Sequence, residues 1–274
     1  MNKGVNKRIN INGRKLVGGI MLLLLVTLAI VSIFYTPYDP EKMNVSENFL
    51  APSFKHLMGT DNFGRDIFSR VMKALLETIK ISTTVIAIGF SLGLIIGTFT
   101  GYFGGILDEI LMRINDALSS IPSILLAIVA IGAFGSSTIT LVMSLGIVFV
   151  PSFARMIRGK VIEEKNKEYV LGAKIMGASS MRIIFKHILP NTRSTIVSTL
   201  VVGFNNAILA EASLSFLGIG LQPPKASLGA MLKDAQTFLA KCPWYSVYTG
   251  LVIVMLIVSL VLLSDGSKNR KRVL

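Results

Sequence analysis

The sequence predicts an all-α protein that crosses a membrane six times, and three observations carry that reading. The 274 residues are 52% hydrophobic and only 16% charged, with a mean hydropathy of +0.66, which is too apolar for a soluble domain of this size. Six stretches are long and apolar enough to approach the roughly 20 residues a spanning helix needs, because backbone groups in hydrocarbon must pair within the helix. The charge is placed by topology: the net +13 concentrates in alternate connecting segments.

Taken in order, residues 1–15 form a basic amino-terminal segment with Lys3, Lys7, Arg8, Arg14 and Lys15. The first span, 16–35, has an apolar core longer than a secretory signal, and no small-x-small site follows it, so a retained helix is expected. The segment 36–78 is mostly polar, carries Pro37, Pro40 and Pro52, and is expected on the external surface. There Asp61, Arg65 and Asp66 are expected to make local salt bridges.

The remaining five spans, at 79–100, 117–133, 138–153, 195–212 and 247–263, fall within a core region 79–266. In the second, Gly89, Gly93, Gly97 and Gly101 recur every fourth residue. That spacing puts them on one helix face, where a second helix can approach closely; a glycine-lined passage is the alternative. The third and fourth spans are short, separated only by Phe134-Gly-Ser-Ser137, and read either as two crossings or as one re-entrant hairpin. Pro122 would begin or kink the third.

With six spans and the amino terminus inside, 19 of the 28 Lys and Arg residues fall on the inner side. The basic tail 267–274 is among them, so both termini are expected to be cytoplasmic. The basic segments lack the interleaved aromatics of single-strand binders, so a nucleic-acid partner is excluded.

Several activities are also argued against. At Gly159-Lys160 a phosphate-binding loop would need a leading glycine where Ala154 stands, so this chain does not bind nucleotide by that route. His56 and His187 fall on opposite sides and have no metal-ligand spacing, which leaves no metal site. Cys242 is the single cysteine and reads as an incidental buried thiol. Glu211 is the one carboxylate well inside a span; it either caps helix packing or faces a water-filled path, and Asn205 and Asn206 either bond between helices or line that path. Energy for active transport would then come from a partner.

The polar segment 155–193 points to that partner. It should form two short helices, 167–176 and 179–188, with Gly177 permitting the turn between them and Pro190 ending the second. Val170, Ala173, Ile175, Met176, Met181, Ile184 and Phe185 would face the membrane domain or another subunit, with Lys174, Arg182 and Lys186 solvated.

In this segment the chain resembles the inner-membrane permeases of binding-protein-dependent ABC importers. Their signature is Glu-Ala-Ala, three residues, Gly, nine residues, then Ile-x-Leu-Pro. Here it runs from Leu171 to Pro190, matching at Ala173, Gly177, Leu189 and Pro190 and departing at Leu171, Gly172 and His187.

Gly59-Thr-Asp-Asn-Phe-Gly-Arg-Asp-Ile-Phe-Ser-Arg70, Glu211-Ala-Ser-Leu-Ser-Phe-Leu-Gly-Ile-Gly220, Leu228-Gly-Ala-Met-Leu232 and Leu263-Ser-Asp-Gly266 resemble the peptide and nickel branch, and its second permease. The resemblance implies a transport subunit in a bacterial inner or plasma membrane, paired with a related permease and served by an extracytoplasmic binding protein. Two further subunits would hydrolyse ATP with Mg, and this chain would bind no cofactor. It also implies that Ala173, Gly177, Ala178, Arg182, Leu189 and Pro190 couple to the ATPase. The cargo would be dipeptides or oligopeptides, with nickel or a nickel chelate as the alternative. A passive channel or scaffold, and a proton-coupled carrier, are the readings from other classes.

Overall fold

A computed structural model describes residues 13–268, so most of the predicted basic termini 1–15 and 267–274, namely 1–12 and 269–274, lies outside the described residues. Among the described residues there are helices and loops and no strand. Helix α1 (Gly13–Phe34) packs along α10 (Pro243–Lys268). The contact is close because Gly18 lacks a side chain: a Cβ there would lie 2.7 Å from the Leu262 Cβ.

Helix α2 (Ile67–Phe103) has 37 residues, about 55 Å at roughly 1.5 Å per residue. It therefore begins well before the predicted span at 79. The start is set by Asp66, whose carboxylate accepts the Ser69 backbone N–H at 2.8 Å and also meets His56 Nδ1 at 2.9 Å. This capping explains why 67–78 is helical although its polar residues kept it out of the apolar count.

The third predicted span is not one helix. Helices α3 (Gly105–Ser119) and α4 (Ser123–Phe134) meet at a bend of 85°. Pro122 has no N–H to continue α3 and disfavours helical geometry at Ile121. It begins α4 instead, its carbonyl accepting from the Leu126 N–H at 3.1 Å. With 12 residues, α4 is about 18 Å long, short of the roughly 30 Å hydrocarbon core. The turn predicted at 134–137 is present, with Gly135 at φ 87 and Ser137 capping α5 through the Thr140 N–H.

Helix α5 (Thr138–Lys165) runs through Pro151 and extends 12 residues past the predicted span. After α6 (Glu168–Ile175) and α7 (Ser180–Arg182), a π-helical segment Ile183–Ile188 leads into α8 (Leu189–Phe216). Helix α9 (Leu228–Thr237) precedes α10. Among the described residues, five helical runs are long and apolar enough to cross a membrane, or six if the bent α3–α4 pair counts as one crossing. Their outward sides stay apolar and exposed, as at Leu23, Ile95, Ile139 and Val254, which is the pattern of a surface solvated by lipid.

Two hydrophobic clusters hold the bundle. One joins α2, α5 and α8 to α4, α6 and the π-helical segment. The other joins α1, the first turns of α2, α9 and α10. Between α2 and α5 the glycine stripe sets the spacing. Cβ atoms at Gly89, Gly93, Gly97 and Gly101 would fall 2.9, 2.5, 2.4 and 2.8 Å from atoms of α5, below any normal contact. All four glycines are buried in this helix pair, so the packing reading of the stripe is the one the structure supports.

Candidate functional site

Only two residues, Asn166 and Lys167, separate α5 from α6. Glu164 secures the corner: it is 3% exposed, accepts from Lys167 Nζ at 2.6 Å and from the Tyr169 hydroxyl at 2.7 Å. Partial burial, followed by the bond to this carboxylate, pushes the Tyr169 phenol up to about 12, although the side chain keeps an exposed edge. A second brace comes from Tyr102 near the end of α2, whose ring has Lys165 Nζ at 5.5 Å and Lys174 Nζ at 5.8 Å. Cation–π contacts of this kind favour a fixed ring and fixed ammonium groups.

Helix α6 ends as its sequence requires. Gly177 takes φ 77, its N–H donates to the Lys174 carbonyl, and the Ala178 N–H donates to the Ala173 carbonyl, both at 3.0 Å. This is a Schellman closure, in which the residue after the cap must be left-handed and glycine adopts that conformation without Cβ strain. Nothing lies within 4 Å of where a Gly177 Cβ would stand. The glycine therefore serves the turn within this chain and leaves its outer side open.

Ser179 caps the following helix through the Arg182 N–H. Pro190 was expected to stop the helix, but the chain is helical without interruption over Ser180–Phe216. The preceding π-helical turn absorbs the proline. The Leu189 N–H bonds to the Ile184 carbonyl five residues back, so the turn is widened just where Pro190, which has no N–H to donate, would crowd the carbonyl four residues back in a regular α-helix.

The two faces of the segment differ. Val170, Ala173, Ile183, Ile184 and Ile188 are buried in the α2–α5–α8 cluster, with Ala178 and Leu189 packed against it. Ile175 and Met176 are 88% and 83% exposed, and Leu171, Met181 and Phe185 are exposed beside them. Arg182 and Pro190 are also exposed. The expected apolar set thus divides into an anchoring half and an uncovered half, and Leu171 adds to the uncovered half at the position where the signature has glutamate.

Behind this segment, α3 is fastened to α5. Arg158 Nε and Nη2 each donate to Asp108 at 2.6 Å, and Arg155 Nη2 donates to Asp116 at 2.9 Å. The sequence reading missed both pairs, since partners 50 and 39 positions apart leave no periodic signal.

The three candidate path residues do not share a face. Asn206 is exposed and Asn205 half-buried, while Glu211 is wholly buried. Glu211 accepts from the Ser215 hydroxyl at 2.7 Å, and its Oε2 has no hydrogen-bond partner. A Cβ at Gly229 of α9 would lie 2.3 Å from the Ala212 carbonyl oxygen, so the glutamate sits in a tight α8–α9 junction.

At the α9 end, Asp61 accepts Arg65 Nε at 2.7 Å and the backbone N–H groups of Phe63 and Arg65. Asp66 pairs with His56 instead of an arginine, a partner the sequence reading did not name. Cys242 is buried, its thiol 3.6 Å from the Thr60 carbonyl oxygen.

Comparison with known proteins agrees with this geometry. Residues 93–271 match the family described as binding-protein-dependent transport system inner membrane component. The chain is 33% identical over 264 residues to the dipeptide transport system permease protein DppC of Haemophilus influenzae, covering 94% of this chain and 90% of that protein. It is 35% identical over 252 residues to the glutathione transport system permease protein GsiD of Pectobacterium atrosepticum, covering 92% and 84%.

Among solved structures, an inward-facing conformation of the MetNI methionine ABC transporter shares the fold, with a TM-score of 0.57 and 20% identity. The match covers 73% of this chain and 93% of that one. A continuous family match over the α2-to-α10 core, and relatives aligned over nearly the whole length, lead to one assignment: the chain belongs to the inner-membrane permease components of binding-protein-dependent ABC importers.

Proposed function

We propose that this permease forms half of the translocation pathway of an ATP-driven importer of dipeptides or oligopeptides, with the α6 segment docked on an ATP-hydrolysing subunit. The observation that carries the coupling role is the Gly177 turn, which presents Ile175 and Met176 uncovered while Val170 and Ala173 anchor the same helix in the bundle. A displacement applied to the exposed face passes through α6 into α5, and through the π-helical turn into α8, because both connections are short and braced. ATP-driven closure of two partner subunits would move these helices as rigid bodies and switch access across the membrane.

The peptide cargo is supported by the dipeptide and glutathione permeases aligned over most of the chain. The other half of the pathway would be a related permease, and an extracytoplasmic binding protein would deliver the cargo to the α9 end. Both termini and α6 then lie in the cytoplasm, the arrangement favoured by the distribution of basic residues. This chain holds no ATP; its residues transmit motion.

Reconstitution of the chain with its partner permease, two ATPase subunits and binding protein in proteoliposomes tests the reading. Dialanine should accumulate only when ATP is supplied and should be unaffected when the proton gradient is dissipated. Uptake without ATP, or the absence of peptide uptake by an assembly that hydrolyses ATP, would sink it.

A further inference from the structure

At the α9 end, two adjoining cavities of about 590 and 660 Å³ open between the first turns of α2, the 39–43 segment and the loop before α9. Arg70, Glu41 and Lys225 line both; the smaller is also lined by Asp39, Lys73 and Glu77, and the larger by Arg65, Lys233 and Asp234. Each volume is in the range that holds small organic ligands.

Arg70 is the unusual member. It is 5% exposed, its Nη1 donates to the Pro40 carbonyl at 3.2 Å, and its Nε has no hydrogen-bond partner, with the Asp61 carboxylate 3.6 Å away. A guanidinium withdrawn from water with an unused donor is an incomplete site, since buried donors lacking acceptors are costly. Carboxylates complement that planar fork well. Arg65 shares the same Asp61 carboxylate at the shorter distance of 2.7 Å, which leaves Arg70 the looser of the two.

The cavity carries both signs of charge. Arg65, Lys225 and Lys233 reinforce Arg70, whereas Glu41 and Asp234 face the same space, so a simple anion such as phosphate would leave the two carboxylates without a partner. A molecule with a carboxylate at one end and an ammonium at the other satisfies both groups. The larger cavity also reaches Ser215, whose hydroxyl bonds to Glu211, so an occupant would rest beside the buried end of α8.

We propose that this cavity is a binding site for a short zwitterionic peptide, with Arg70, Lys225 and Lys233 receiving its carboxylate and Glu41 and Asp234 its ammonium. The inference rests on the peptide cargo proposed above. It gives the permease its own contact with the peptide after release from the binding protein.

Calorimetric titration of the assembled transporter in nanodiscs, with the binding protein omitted, tests the site with dialanine, N-acetyl-dialanine and dialanine amide. Dialanine should bind, and blocking either end should weaken binding about tenfold, the loss of roughly one charge-assisted contact. The exposed double variant Lys225→Gln with Lys233→Gln should lose about tenfold or more for dialanine and for N-acetyl-dialanine, yet show little further loss for the amide.

The site is overturned if dialanine does not bind at millimolar concentration, if blocked and free peptides bind alike, if the double variant binds as wild type, or if inorganic phosphate competes as well as dialanine. Uptake by the complete importer separates the two readings. An importer that moves no peptide refutes the cargo, whereas one that imports dialanine through a permease that binds none refutes only this cavity.

Discussion

Arg158 on α5 grips Asp108 on α3 with two parallel N–H···O bonds, both 2.6 Å long. The pair is only partly withdrawn from water, the side chains being 32% and 17% exposed, so its worth lies below that of a fully buried ion pair. Its place matters more, because it fixes the amphipathic α3 against the helix that leads into the α6 segment. Arg158→Ala should cost about 1–2 kcal/mol by stranding the Asp108 carboxylate. Arg158→Lys should recover part of that, since the charge remains but the two-pronged geometry is lost. Fluorescence-detected thermal unfolding in nanodiscs checks this, with the order wild type, Lys, Ala expected. An Ala variant as stable as wild type would remove any structural role from the pair.

The α2–α5 contact makes a sharper prediction about glycine. Phe153 is wedged between two of them: a Cβ at Gly93 would stand 2.5 Å from the Phe153 Cβ, and one at Gly203 would stand 2.4 Å from the ring tip. At Gly97 the obstacle is the backbone oxygen of Ala154 at 2.4 Å, which cannot rotate away. Gly97→Ala should therefore lower stability by about 1–3 kcal/mol through forced helix separation. Gly159→Ala on the open side of α5, where nothing lies within 4 Å, should be neutral or gain up to about 1 kcal/mol from helix propensity. Equal melting behaviour of the two variants would contradict the packing.

Gly177 separates two reasons for a glycine. Its φ of 77 disfavours residues with a Cβ, but asparagine tolerates that region better than most. Gly177→Asn should keep the turn and this chain's stability, whereas Gly177→Leu should strain it and obstruct docking. In the proteoliposome assay, Leu should abolish peptide uptake and weaken capture of the ATPase subunit. If Asn assembles fully but transports more than about tenfold slower, the partner backbone approaches closely at this point; normal transport in Leu would refute a coupling role for the turn.

Much of the segment was legible because its signals are local. The helices predicted at 167–176 and 179–188 meet the observed α6 and the Ser179 cap within a residue or two at that junction, since capping and a left-handed glycine act over five or six residues. Pro190 misled because its effect depends on the register of the preceding turn, and the shift of one residue in 183–188 has no compositional mark. The glycine stripe revealed a close approach but not the approaching helix, whose identity depends on chain topology. Glu164 was equally unreadable: a glutamate near a helix end looks solvated until the corner folds Lys167 and Tyr169 over it.

That corner makes the last prediction. Tyr169 donates to Glu164 at 2.7 Å, and its phenol is raised to about 12, first by burial and then by the neighbouring carboxylate. A raised folded value means the neutral phenol is the favoured form, so its contribution to stability is complete below the unfolded value near 10 and is lost as pH rises through about 12. Across the neutral range the bond should be insensitive to pH. Tyr169→Phe should then lower stability by at most about 1 kcal/mol at pH 7, because Tyr169 is 37% exposed and Glu164 keeps Lys167 at 2.6 Å but loses one donor. Ultraviolet difference titration of wild type against this variant should show one phenol ionising late, near 12. If it ionises near 10, the corner is open to water and the rigid link between α5 and α6 is lost with it; in that case ATPase activity and peptide uptake should respond to Glu164→Gln no more than to an exposed control such as Glu168→Gln.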